Sequence, residues 1–499
     1  DTYMNKFAQV IHKNIRNYIE FFVFYLAVFA IMLNRHYSVD AYNYSVSSTT
    51  AYVGNLNLGR IGNYFVFGLF KNINIVTHQS LFVFLLILTL TVTSCMLYVH
   101  LEKHMQQISY KIILKMSVAI VFCNVFMVDF FVYIEMFFAW CCGIVFMVLS
   151  VLQIKENMTL KNWMRVLFFM VISLSFYQAL IGFFVYFALI DVYIIYHGKL
   201  GKKSFIDSIL VLGCGGCAGA ANILLLKVLQ KLGIAGTESR TGNVGIDGIK
   251  ENLKGVCAGS MSLLKDTSGF MPPYFVVTVL ILLYALIIAL LIFKHEKWHQ
   301  YVYIVLIMAV SRMVLYVPHL LASAVWMAPR SIISYWTIIS MPCMILLVWN
   351  EKRETAYLTG ILLAVILFVN VVNIQKISGD VIATNRLDEE TAYMIQNEID
   401  AYQEESGQIV DTIVYRNDVA PAWKYRSIDF QRFELCERIY NVPWNGCVQA
   451  INYYNKKSYN SALMDDETFT KYFSKDNWDE LNIKEQLVFD GSTLYFVAY

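Results

Sequence analysis

The chain has 499 residues, 58% of them hydrophobic and only 15% charged, with a formal net charge of +2 at pH 7. A soluble globular domain carries about 25% charged residues, so the composition excludes an ordinary water-soluble enzyme and points to an integral membrane protein. A net charge this small provides no field directed at nucleic acid.

A membrane-crossing helix needs about 20 mostly apolar residues. In chain order such stretches lie at 18–33, 80–98, 110–127, 130–150, 205–230, 273–294, 299–317, 331–349 and 356–374. The first has basic flanks and no small-residue cleavage site after it, so it reads as a retained helix. Residues 164–197, "MRVLFFMVISLSFYQALIGFFVYFALIDVYIIYH", are too long for one helix and too short for two full spans. Two short helices meeting near "SFYQA" fit, which makes about eleven transmembrane helices in all.

Orientation follows the excess of Lys and Arg on cytoplasmic loops. The basic groups are Lys6, Lys13 and Arg16; Lys103 and Lys111; Lys155, Lys161 and Arg165; Lys199, Lys202 and Lys203; Lys294 and Lys297; Lys352 and Arg353. They fall on every second connection when 164–197 is a hairpin, and the N-terminus is then cytoplasmic. The outer side holds loop 34–79, a short link at Asp129, the "FYQA" tip, loop 231–272, residues 318–330 and everything after about 375. The expected fold is a polytopic α-helical membrane domain, 1–374, followed by a small extracytoplasmic α/β domain, 375–499. In the latter, a helical pattern at 387–404 precedes a strand in "QIVDTIVYR" and a hairpin in "EQLVFDGSTLYFVAY".

The polar groups on the outer side are few. Asp40 follows the first helix, in "LNRHYSVDAYNYS". Arg60 lies in "NLNLGRIGNYFVFGLFKNIN", where 61–75 reads as an amphipathic interfacial helix. Asp129 and Glu135 share "VFMVDFFVYIEMFF", and Tyr177, Gln178, Arg312, His319 and Arg330 complete the set. Arg312 sits roughly 20 Å along its helix, where a charge either snorkels to the headgroups or faces a partner or wet cavity. Arg330 begins a helix, an end whose dipole favours anions, so an anionic ligand is expected there. Carboxylate and arginine together suit transfer from a phosphorylated lipid. The carboxylate removes a proton from an acceptor hydroxyl, and the arginines hold the phosphate and stabilise its departing charge.

Other groups read as structural. Asp191, near the cytoplasmic end of its helix, is expected to be paired. Cys214 and Cys217, in "GCGGCAGA", suit close helix packing rather than metal binding. Cys436 and Cys447, in "FELCERIYNVPWNGCVQA", are either a disulfide or two buried free thiols. The tail is assigned to acceptor handling or stability rather than to chemistry.

The chain resembles the Gtr-type (GtrII-like) serotype-converting glucosyltransferases of bacteria, of the GT-C class. The residues that carry the resemblance are Asp40 after the first helix, "NLGRIGNY" around Arg60, "SLSFYQALIGFF" around Gln178, "APRSIISYW" around Arg330, and the polar tail. The resemblance implies a multi-pass protein of the bacterial cell membrane. Its donor would be a polyprenyl-phosphate sugar, usually glucose, and its acceptor a surface polysaccharide or lipid-linked glycan. It implies a catalytic acid in the first external loop, matched by Asp40, with Asp129 or Glu135 as the second acid. Arg60, Tyr177, Gln178, Arg312, His319 and Arg330 are the expected substrate-binding residues. No cofactor is expected, and a divalent cation is left open. The competing readings are a polysaccharide polymerase or ligase using a polyprenyl-diphosphate substrate, and a flippase or transporter. The last calls for ionisable groups near the midplane, whereas mid-helix positions here are mostly Leu, Ile, Val and Phe.

Overall fold

The computed structural model describes residues 2–46, 48–105, 110–237, 245–349, 353–417, 433–442, 446–473 and 483–498. Each of the ten predicted apolar stretches contains a helix, and 164–197 contains two. Among the described residues, eight helices are long and apolar enough to cross a membrane: Asn14–Leu33, Gln79–His104, Ile134–Val151, Gln178–Ile195, Lys202–Lys231, Phe275–Phe293, Pro329–Trp349 and Glu354–Ser406. The chain is therefore read as a membrane protein. The other three helices, Lys111–Phe122, Leu160–Phe176 and Trp298–Val314, have 12, 17 and 17 residues. At 1.5 Å per residue they reach about 18–25 Å, short of a hydrocarbon core about 30 Å thick. One cause is visible at Asn124. Its amide donates to the carbonyls of Ile120 and Val121, and the Asn370 side chain takes the Val125 N–H. The helix ends there, and the short Met127–Val132 helix follows.

Lipid-facing surface is plain on the Phe275–Phe293 helix, where Ile281, Leu282, Ile288, Ile292 and Phe293 are all exposed. Around Cys214 and Cys217, which are both free, Gly215 and Ala218 meet neighbours while Gly213, Gly216 and Gly219 face open space. The predicted small-residue packing thus holds on one face only.

The 164–197 segment is two helices, Leu160–Phe176 and Ile181–Ile195, joined through Tyr177 in extended backbone and a 3-10 turn, Gln178–Leu180. The turn closes because Gly182 lets the Ser334 side chain approach; a Cβ at 182 would meet Ser334 Oγ at 2.0 Å. Asp191 finds its expected partners in His100 and His104, at 2.7 Å each. The C-terminal ends of the Gln79–His104 and Ile181–Ile195 helices therefore lie side by side.

The two helical stretches at 356–374 and 387–404 prove to be one helix, Arg353–Ser406, of 54 residues. It leads into a four-stranded sheet of β1 (Thr412–Asn417), β2 (Asn460–Leu463), β3 (Leu487–Asp490) and β4 (Thr493–Ala498), in the order β2-β1-β4-β3. β1 is parallel to both neighbours, and β3–β4 is the predicted hairpin. Alternation along β1 buries Ile413 and Tyr415. Their core also takes in Tyr37, Val39, Ala41, Tyr42 and Val76 from the first long loop. Tyr37 Oη pairs with Tyr453 Oη at 2.9 Å and Tyr42 Oη with Tyr454 Oη at 2.8 Å. The Asn385 amide brackets the Tyr37 backbone, accepting its N–H and donating to its carbonyl.

Cys436 and Cys447 are free and buried, which corrects the disulfide alternative. Cys436 packs in the membrane-domain core against the Ile377 carbonyl, whereas Cys447 belongs to the tail core beside Tyr415. Burial pushes both thiols well above their ordinary range, which keeps them protonated and inert.

Candidate active site

Asp40 sits in the tight turn that opens the Ala41–Val46 helix and is half-buried. Ser38 Oγ accepts the N–H groups of Asp40 and Ala41 at 3.2 and 3.1 Å and donates to the Glu135 carboxylate. The turn is thus fastened to Glu135, which is buried, and whose Oε2 has no hydrogen-bond partner among the described residues. His36 pins the same loop from below. Its ring nitrogens lie 2.8 Å from the Asn34 carbonyl and 2.9 Å from the Phe131 carbonyl, and its backbone N–H donates to Gln79 at 3.0 Å. Burial pushes the His36 imidazole below its ordinary range.

Beside this turn lies an ionic cluster. Asp129, fully buried on the Met127–Val132 helix, accepts the backbone N–H of Arg330 at 2.8 Å and its guanidinium Nη1 at 3.2 Å. Arg330 begins its helix as predicted, and Asp129 is the anion its N-terminus calls for. The expected role for a ligand at that position is met from within the chain. Burial pushes the Asp129 carboxyl above its ordinary range, and the Arg330 charge opposes the rise in part. Arg330 also lies 4.0 Å over the Tyr133 ring, and its Nη2 is ion-paired with Glu434. The Tyr133 hydroxyl donates to Glu434 at 2.6 Å. Burial raises the Tyr133 phenol well above its ordinary value; Arg330 opposes this, while Glu434, Asp40 and Asp129 add to it.

Tyr177 joins the remaining motifs. Its hydroxyl donates to the Arg330 carbonyl at 2.9 Å, and its ring lies 5.2 Å from the Arg60 guanidinium. Gln178 Nε2 donates to the carbonyls of Leu58 and Gly59 at 3.2 Å each. Gly59, at φ +74°, supplies the left-handed residue that turns the chain into Arg60. The three quoted stretches around Arg60, Gln178 and Arg330 therefore meet at one point.

Arg312 is not part of this cluster. It lies over Tyr335 at 4.4 Å and Tyr316 at 5.3 Å, beside a cavity of about 10 Å³, and its Nη1 is buried without a hydrogen-bond partner among the described residues. His319 is buried, with Nε2 likewise unpartnered. Sequence reasoning missed His36, Tyr133 and Glu434. The first two lie within a few residues of singled-out acids and could have been added. Glu434, in "FELCER", carries no local signal. Next to it a groove of about 590 Å³ opens between Gly255, Gly259, Asp266, Trp326 and Phe433.

The family model described as glucosyl transferase GtrII matches residues 29–347. The chain belongs to the GtrII glucosyl transferase family. No curated protein and no solved structure matches the chain. Membership makes the protein a glycosyltransferase that uses a sugar donor and an acceptor. All nine polar residues singled out from the sequence lie inside the GtrII match; Glu434 and the sheet lie beyond it.

Proposed function

We propose that the protein transfers a sugar, glucose by family resemblance, from a polyprenyl-phosphate donor to a surface polysaccharide or lipid-linked glycan. Transfer occurs on the outer face of a bacterial cell membrane, with Asp40 as general base. The observation that carries this reading is the convergence of Asp40, Glu135, Asp129, Tyr177 and Arg330 from four separate segments. Asp40, half-exposed, takes the proton of the acceptor hydroxyl as its oxygen attacks the anomeric carbon. The bond to the phosphate oxygen breaks, and the phosphate leaves with the electron pair. Glu135, tied to the Asp40 turn through Ser38, is the second acid and holds that turn in place. Asp129 is a positioning residue for Arg330. Arg330 meets the donor phosphate with the N–H groups now directed at Glu434, and Arg60 adds charge across the Tyr177 ring. The groove at Trp326 and Phe433 offers aromatic faces of the kind on which sugar rings stack.

Membranes holding the protein are given polyprenyl-phosphate-[14C]glucose and surface glycan. Label is expected in the glycan. Transfer only from a polyprenyl-diphosphate-linked glycan would replace this reading with the polymerase or ligase. Topology is tested separately. The pairing of Asp191 with His100 and His104 supports a shared face for residues 104 and 196, and the basic loops assign that face to the cytoplasm. Reporter fusions after 103 and 202 are expected to read cytoplasmic, and fusions after 60 and 250 external. An external signal at 202 would contradict the hairpin.

A further inference from the structure

At the opposite end of the bundle from Asp40, His100 and His104 lie one turn apart on one face of the Gln79–His104 helix, and Asp191 meets both from the Ile181–Ile195 helix. His100 Nε2 is 2.7 Å from Asp191 Oδ2, and His104 Nδ1 is 2.7 Å from Asp191 Oδ1. The two rings are 4.5 Å apart between centroids. One ligand atom from each of the three residues falls within 4.8 Å of the other two. The Asp191 side chain is fully buried, while those of His100 and His104 are 11% and 13% exposed, so the cluster has a solvent side.

We propose that His100, His104 and Asp191 form a binding site for one divalent transition-metal ion of the Zn²⁺ class. Two imidazoles and a carboxylate are a borderline nitrogen and oxygen donor set, which suits Zn²⁺ with water in the fourth tetrahedral position. Mg²⁺ and Ca²⁺ favour oxygen donors instead. Bonds of about 2.0–2.1 Å to a tetrahedral ion place ligand atoms roughly 3.3 Å apart, so the ion enters as the two 2.7 Å hydrogen bonds to Asp191 open by a fraction of an ångström. The electrostatics point the same way. His104 is the last residue of its helix and Asp191 lies one turn from the end of the other, so two helix C-termini direct partial negative charge at the cluster. A divalent ion neutralises that charge together with the buried carboxylate. Two imidazolium rings at this spacing would instead repel each other. On binding, each ligating nitrogen gives its lone pair to the metal and the ring keeps its proton on the other nitrogen, His100 on Nδ1 and His104 on Nε2. Thirteen residues, about 20 Å of helix, separate Asp191 from Gln178. The ion therefore clips two helix ends together and takes no part in sugar transfer.

Protein purified in detergent is stripped with EDTA and titrated with CoCl2, whose visible absorption reports tetrahedral coordination. One equivalent is expected to bind and to be displaced by ZnCl2. His100→Gln and His104→Gln, which can still hydrogen-bond Asp191, are expected to weaken binding by at least about tenfold. ZnCl2 is expected to raise the melting temperature of the wild type but not of the variants. Absence of Co²⁺ binding by the wild type overturns the site even if neither variant folds. A Co²⁺ band of equal affinity in both variants, or an equal rise in their melting temperature, assigns the metal to other residues and also overturns it.

Discussion

Asp40→Asn lowers sugar transfer by about 10²–10⁴-fold, the range a positioned general base contributes, and leaves donor affinity within a few fold. The substitution conserves size and the turn, because the Ser38 contacts are made to the backbone N–H groups of Asp40 and Ala41 rather than to the carboxylate. The loss should therefore appear in the rate of transfer at saturating donor. The control is Glu135→Gln. It keeps an acceptor for the Ser38 hydroxyl, and its smaller loss would mark a positioning role. Near wild-type transfer by Asp40→Asn would remove Asp40 as the base and move the role to Glu135, whose Oε2 is buried without a hydrogen-bond partner among the described residues.

Arg330→Ala abolishes measurable transfer and also destabilises the protein. Two effects add. Loss of a preorganised charge at the leaving phosphate costs about 10²–10³-fold in rate. Removing one partner of a buried ion pair costs about 3–5 kcal/mol, because Asp129, fully buried, is left without the guanidinium that compensates it. Arg330→Lys separates them. Lysine returns a positive charge to Asp129, so thermal unfolding in detergent recovers toward wild type. It cannot hold Asp129 and the donor phosphate at once as the planar fork can, so transfer remains depressed. Full activity in Arg330→Lys would show that only charge matters here and would sink the fork.

Much of the membrane domain was legible because apolar run length and loop charge are local properties. The hairpin at 164–197 followed from length and charge alone, and the structure places its break at Tyr177, within the quoted "SFYQA". The convergence of the polar groups was not legible. Asp129 and Arg330 are 201 residues apart, and Tyr37 and Tyr453 are 416 apart; no pattern within either segment announces the other. The sequence did show that the start of the Arg330 helix required an anion. It could not show that the anion belongs to the chain. The contacts of the tail were not legible for the same reason: its core encloses the residues on both sides of Asp40, and it supplies Glu434 to the Arg330 guanidinium. The helix runs on through residues 375–386, which contain no proline and one glycine, Gly379, and that is not enough to stop it.

The unbroken Arg353–Ser406 helix fixes the bearing of the tail as well as its height. Asn385, Asp388, Ala392, Ile395 and Ile399 are among its buried residues in the upper half, and they recur every three or four positions along one side. Tyr37, Arg438 and the sheet all attach to that side. A helix turns by about 100° per residue, so its azimuth at Asn385 is set by the count of residues below it. One residue added within the apolar half would leave every helical hydrogen bond intact. It would swing the sheet about 100° around the axis, carrying Glu434 away from Arg330 and opening the enclosure around Asp40. The length of this helix is thus held to a rotational phase that bilayer thickness alone does not impose.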